Sequence, residues 1–299
     1  MKRIMMVACC CAGISFLQAQ ELYVFTEPAS NMATGSFGFR LNNYAMPMSH
    51  STKTSYRLEP ELMWGASKNL MVHAAAYASN MFQSKMRVEG GSLYAKYRFL
   101  SKDDIHSHFR MAAFGKLSLI DNPVLEAATT THTYYDGQGN PYLHDITDYY
   151  QSNQMNIDGD HSGYQLGVVA TKLQHKLAVS GSASYMHRLD NLKGQKFAAT
   201  DARHALNFTA SAGYLLLPKE YTSYGQTNFN LYLEMLGYVP MDTRGYSIDA
   251  APAVQFIFNS IARLDFGYRF QIAGDVSRHY KSMFLLRLEY NWLNAFSKK

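Results

Sequence analysis

Cysteine is almost missing from this chain. All three, Cys9, Cys10 and Cys11, fall within the first twelve residues. If that stretch is removed during export, disulfides, thiolate nucleophiles and cysteine metal sites are excluded together. Long apolar runs are missing too. Beyond Leu17 no stretch approaches the roughly 20 residues that a helix needs to cross a bilayer. Yet 47% of residues are hydrophobic while the mean hydropathy is -0.23, so apolar residues must be interleaved with polar ones. Tryptophan is scarce at 2 and proline at 8, whereas tyrosine (22) and phenylalanine (17) are plentiful. Charge of either sign is thin at 17%. No basic run accompanies the small positive excess, and this excludes a nucleic-acid partner.

The amino terminus reads as an export signal. Lys2 and Arg3 form a basic start, Ile4 to Leu17 is apolar, and Ala19 supplies a small residue at the cleavage site. The apolar stretch is too short for a spanning anchor, so residues 1–19 are expected to be a signal peptide.

What the remainder has is alternation. From Met283 to Trp292, Phe284, Leu286, Leu288, Tyr290 and Trp292 interleave with Met283, Leu285, Arg287, Glu289 and Asn291. A period of two puts these sets on opposite faces of a strand. The same split recurs near 36–43, 54–64, 69–80, 90–101, 106–119, 162–174, 175–188, 203–217, 226–238, 246–258, 260–272 and 282–293. Connections alternate between short and long, as periplasmic turns and outer loops do in bacterial barrels. The expected fold is all-β: a transmembrane antiparallel up-and-down β-barrel of about 12 strands over residues 36–299, with a long outer loop at 120–161. Its solvent is the outer membrane of a Gram-negative bacterium, with outer-membrane lipid as partner. Residues 20–35 precede the first strand and carry Tyr23, Val24 and Phe25. That is apolar for a free tail, so the segment is expected either beneath the barrel in the periplasm or inside it as a plug.

An arginine on the lipid face at mid-depth costs roughly 2–4 kcal/mol. The charged set must therefore face inward. The candidate lumen-lining residues are Arg40, Arg57, Glu59, Glu61, Arg98, Arg110, Glu234, Arg263, Asp265, Arg269, Arg287 and Glu289. Two readings of this list compete. One is a cross-strand ion-pair network bracing a filled interior. The other is a pore with a positive field that favours anions.

Other chemistry is weakly signalled. Asn156-Ile157-Asp158-Gly159-Asp160 resembles the start of a calcium loop, but His161 and Gly167 occupy the positions that need Gly and Glu. Met46, Met48 and His50, and the pair His106 and His108, have copper-like donors without a second cluster to complete a site. Met46 and Met48 read better as apolar loop residues near the membrane surface. Ser184 and His187 are the kind of residue an outer-membrane lipid hydrolase would use, but neither a G-x-S-x-G elbow nor a Ser-His-acid spacing is present. No enzymatic activity, cofactor or metal is expected.

Glu27-Pro28-Ala29-Ser30-Asn31-Met32, Tyr97-Arg98-Phe99 with Ser101-Lys102-Asp103-Asp104, Ala212 to Glu220 (AGYLLLPKE) and Phe256-Ile257-Phe258-Asn259-Ser260 carry a family likeness. On these residues the chain resembles outer-membrane β-barrel transporter-like proteins of Bacteroidota type, related to the phenol-degradation meta-pathway transporter barrels. The resemblance implies a barrel that passes small hydrophobic or charged solutes. The expected function is a channel for passive or facilitated passage of a small solute, an anionic one where the interior bases set a positive field. The alternative is a closed structural or surface-interaction barrel that meets a partner through 120–161. A metal-related barrel or a lipid hydrolase stands behind both.

Overall fold

The computed structural model describes residues 23–49, 51–105, 107–122, 125–151, 158–194, 202–220, 223, 225–276, 278–293 and 295. The expected signal peptide with its cysteines lies outside the described residues, as do His50, His106, Asn156 and Ile157. Fourteen strands follow in order: β1 (Phe37–Pro47), β2 (Thr54–Trp64), β3 (Leu70–Ser79), β4 (Arg87–Asp103), β5 (Ser107–Ile120), β6 (Leu125–Tyr135), β7 (Pro141–Gln151), β8 (Gly163–Gln174), β9 (Leu177–Arg188), β10 (His204–Leu217), β11 (Asn228–Pro240), β12 (Ser247–Phe258), β13 (Ala262–Gly274) and β14 (Ser282–Trp292). Twelve of them close an antiparallel barrel. Consecutive barrel strands pair with one another, β5 pairs with β8 past the β6–β7 segment, and β1 closes on β14. β6 and β7 form a separate two-stranded hairpin inside the segment expected to be a long outer loop.

The alternation sorts the two faces. In β14, Phe284, Leu286, Leu288, Tyr290 and Trp292 are exposed, while Met283, Leu285, Arg287 and Glu289 are buried. The exposed set continues round the wall through Tyr56, Leu62, Leu93, Phe99, Leu233 and Phe266. In water this belt would be costly, at about 25 cal/mol per Å² of apolar surface. In hydrocarbon it is matched to its solvent, and the closed ladder leaves no strand edge unpaired.

Two prolines interrupt the wall. Pro60 and Pro252 sit mid-strand with no N–H to give. Pairing of β2 with β3 stops at Leu58↔Ala78 and resumes at Glu61↔Ala75. That of β12 with β13 lapses between Ala250↔Phe270 and Ala253↔Gly267. Beside Pro252 the outer wall carries an apolar groove of about 670 Å³, lined by residues that include Leu231, Val254, Phe266, Phe284 and Leu286.

β1 also runs further than its expected end at 43. The extra residues carry Met46 to the inner face, where it is buried with Met81, Tyr280 and Met283 at the barrel's outer mouth, and Met48 packs against the same group. Met46 and Met48 are therefore part of the mouth rather than loop residues at the membrane surface. The reason is the continued period of two.

Candidate functional site

The barrel interior is built by register. Arg40 stands directly opposite Glu61 on β2 and Glu289 on β14, and Glu289 stands opposite Arg263 on β13. This makes one row across four strands. Arg40 bridges Glu289 at 2.9 Å and Glu61 at 3.1 Å, and Glu61 also meets His73 Nδ1 at 2.6 Å. The next row runs Glu59, Asn42, Arg287, Asp265, Gln255 and Asn230. Within it Arg287 donates to Asn42 Oδ1 at 2.6 Å, and Asn230 donates to Gln255 at 3.1 Å. Arg263 grips Asp265 from its own strand at 2.8 Å.

Nearer the outer mouth, Arg269 and Arg278 share Asp249, at 2.7 and 3.0 Å. Arg57 joins Glu89 at 3.1 Å and Asp160 at 2.8 Å. The carboxylate of Asp158 is met by Lys116 and by the Tyr77 hydroxyl. The acidic residues of the calcium-like stretch are thus held by protein donors. At the opposite end Arg98 donates to the Lys68 carbonyl at 2.7 Å, and Arg110 meets Asp103 at 3.0 Å. Eleven of the twelve candidate lumen residues are buried, and Arg110 is half-buried. A buried pair of this kind adds little net stability over apolar packing, yet removing one partner costs about 3–5 kcal/mol.

The interior also holds the start of the described chain. Residues 23–35 cross it from the β11–β13 wall to the β2–β3 wall. The Glu234 carboxylate accepts the backbone N–H groups of Val24, Phe25 and Thr26, at 2.8, 3.0 and 2.8 Å. Arg263 donates to the Tyr23 carbonyl at 2.7 Å. Glu27 lies between Arg40 at 3.1 Å and Lys96 at 3.3 Å. Lys96 reaches the Pro28 carbonyl at 2.8 Å, Ala29 N–H donates to Thr171 Oγ1 at 2.9 Å, and Arg110 donates to Ser30 Oγ at 3.1 Å. Met32 then packs on Met63 and Met71, and Gly35 N–H closes on the Gly65 carbonyl at 2.8 Å.

The wall is shaped to receive this segment. Gly267 on β13 lies under Phe25, and a Cβ there would stand 2.5 Å from the ring. Above it, Phe25 and Tyr44 pack against the Met46, Met81, Tyr280 and Met283 cluster. Inward-facing groups thus stand at three levels: methionines below, the anchored segment in the middle, and methionines with aromatics at the mouth.

Sequence reasoning missed several interior residues. Glu89 lay one residue before the expected start of its strand, and Asp249 shares the inward phase of β12 with Gln255. Arg278 lies in the β13–β14 connection, where no period places it. Ser184 and His187 fall on opposite faces of β9. Ser184 is buried and accepts from Gln165 at 2.7 Å, while His187 faces out near the rim.

An apolar outer belt around an ion-paired interior in a closed twelve-stranded wall defines a bilayer-spanning barrel of the outer-membrane type. No family model and no curated protein matches the chain. Among solved structures it is similar to an outer membrane channel from Pseudomonas putida F1, with a TM-score of 0.54 and 11% identity over 90% of this chain and 100% of that one. It is also similar to the KdgM porin (TM-score 0.47, 8% identity, 85% and 98% covered) and to the NanC porin (0.45, 10%, 84% and 97%). The first likeness shows a shared fold.

Proposed function

We propose that the protein is a channel barrel in the outer membrane of a Gram-negative bacterium, closed by its own N-terminal segment and passing a small anionic solute when that segment yields. The observation that carries this reading is the position of Glu27. Its carboxylate occupies the space between Arg40 and Lys96, a carboxylate-sized site held by the barrel's own bases. When the segment leaves, Arg40 and Lys96 lose that carboxylate, Arg263 loses the Tyr23 carbonyl and Arg110 loses Ser30. Arg40 keeps Glu61 and Glu289, and Glu234 loses its backbone donors, so the net change is the one negative charge of Glu27, which shifts the opened lumen toward a positive field. The named role of the Pseudomonas putida F1 barrel, an outer membrane channel, accords with this reading. So does the resemblance to transporter-like barrels of Bacteroidota type, related to those of the phenol-degradation meta-pathway.

The test is single-channel conductance of the refolded protein in a planar bilayer, with the reversal potential read in a salt gradient. The full chain should be silent or show small, brief steps. A variant lacking residues 23–33 should show steady steps whose reversal potential favours anions. A folded deletion variant that stays silent would remove the channel reading, and cation selectivity would remove the anionic solute.

One observation favours a second reading, a surface that meets a partner. The β6–β7 hairpin contacts the barrel hardly at all, and Tyr135 and Leu143 near its tip are about 70% exposed. An isolated two-stranded hairpin is marginal in water, so a partner would contribute to its order. Deleting 125–151 while conductance is preserved, with loss of a cell-surface contact, would support this role alongside the channel.

A further inference from the structure

On the outer wall, at the loop end, three neighbouring strands bring two histidines and two tyrosines together. His187 on β9 stands directly opposite His204 on β10 and Tyr164 on β8. The two imidazole centroids are 4.5 Å apart, and Tyr164 lies 5.2 Å from His187. All four side chains, including Tyr185, are half-buried and reachable from outside the barrel.

The polar atoms lie within hydrogen-bonding distance around one nitrogen. His187 Nδ1 lies 3.2 Å from His204 Nδ1, and the Tyr185 hydroxyl closes on the same His204 nitrogen. That nitrogen carries either one proton or one in-plane lone pair. It can satisfy one of these partners as a hydrogen bond and not both. Two imidazole nitrogens and a phenol oxygen side by side are, however, donors that a metal ion can take up together. With metal–nitrogen bonds of about 2.0–2.1 Å, two imidazoles on a tetrahedral ion hold their nitrogens about 3.3–3.4 Å apart. On a tetragonal ion two cis nitrogens stand about 2.8–3.0 Å apart, and the observed 3.2 Å lies between the two bites, within a small side-chain adjustment of either.

The backbone holds the pair in place. Asp242 Oδ2 accepts the N–H groups of Arg203 and His204 at 2.7 and 2.8 Å, and the His204 carbonyl accepts from Met241 N–H at 2.8 Å. His204 is therefore fixed at the first position of its strand before any ligand arrives. Among the described residues no group of three His, Cys, Asp or Glu side chains gathers into a metal site, and here a tyrosine stands in the third place.

We propose that His187 Nδ1, His204 Nδ1 and the Tyr185 phenolate form a binding site for a divalent transition-metal ion at the outer rim, with solvent completing the coordination. Imidazole and phenolate donors suit copper(II) best among the divalent ions of the first row, with zinc weaker. Binding releases the Tyr185 hydroxyl proton and moves any Nδ1 proton to Nε2, so affinity rises with pH. The ion would tie β9 to β10 at the base of the connection 189–203.

The test is copper(II) sulfate added to the full refolded barrel in detergent, followed by electron paramagnetic resonance and by the visible phenolate-to-copper band. One equivalent should bind with two equatorial nitrogens. His187→Phe and His204→Phe should each weaken it more than about tenfold, at least the effect of losing a supporting partner at known sites. Tyr185→Phe should keep the nitrogens and lose the visible band. Heat-modifiable gel mobility reports folding of each variant. Should a phenylalanine variant fail to fold, His204→Asn gives the same reading. An unchanged copper signal in a folded double-histidine variant would overturn the site, as would a wild-type barrel that binds no copper. A wild-type complex without the visible band would remove Tyr185 from it.

Discussion

Glu234 is the residue on which the docked N-terminal segment turns. A carboxylate offers only acceptors, and this one receives the N–H groups of three successive residues, Val24, Phe25 and Thr26. Hydrogen bonds to a charged group contribute about 1.5–3 kcal/mol each. In Glu234→Gln one oxygen becomes an NH2 that faces backbone donors, so at least one of the three bonds is lost and the charge goes with it. The released state should gain by about 2–4 kcal/mol. Hydrogen exchange at residues 24–26 in the folded barrel should accelerate at least about 30-fold, by the conversion of about 2 kcal/mol. Unchanged protection would show that the segment is held by its side chains alone. The inward phase of Glu234 was legible in Phe229, Leu231, Leu233 and Met235 on either side of it. Its partner was not, because Val24 is 210 positions away and no period links a strand to a segment lying across it. The same holds for Arg40. Its sequence neighbours place it inside, but only the closure of β1 on β14 sets it against Glu289.

Elements were legible wherever an apolar face and a charged face contrast. All twelve barrel strands follow that contrast, with shifts at the ends: β4 starts at Arg87 rather than 90, and β1 runs to Pro47 rather than 43. The β6–β7 hairpin escaped for the same physical reason. In Thr-Thr-Thr-His-Thr-Tyr-Tyr, residues 129–135, both faces are polar or amphipathic, and alternation has nothing to sort. The stretch 158–162 is different again, since it has no regular structure and is held by burial. His161 there is fully buried, and its pKa is pushed well below 6.5 by burial first and then by Arg188, His279 and Arg57. It stays neutral in the fold, while an unfolded imidazole takes a proton near 6.5. Below that pH the unfolded state binds more protons, so this contribution to stability is lost as pH falls. Asp160 beside it has its carboxyl pushed up to about 6 by burial, against the pull of Arg57. It therefore titrates in the same range with the opposite sign. Comparing wild type with His161→Asn isolates the histidine. As pH drops from 7 to about 5, denaturant midpoints should move so that the variant gains on wild type. Parallel midpoints would mean that His161 charges freely in the fold.

At the scale of the whole molecule, on the proposed channel reading, the interior is a set of closures in series. The middle one is the segment 23–35. The outer one is the cluster of Met46, Met81, Tyr280 and Met283, which shares Phe25 with the middle. Resistances in series do not add as independent mutations do. Removing one leaves the other limiting, so each single change should yield less than its share of the final conductance. Deleting 23–33 should open the middle and loosen the mouth by withdrawing Phe25, giving steady but small steps. Met81→Ser with Tyr280→Ser should wet the mouth and yet conduct poorly, because Glu234 still holds the segment below. The combined variant should conduct more than the sum of the two, and its reversal potential should match that of the deletion alone, since Arg40 and Lys96 face the passage in both. A combined conductance equal to the sum would mean parallel routes. One equal to the deletion alone would place the whole barrier in the segment and leave the methionines as packing.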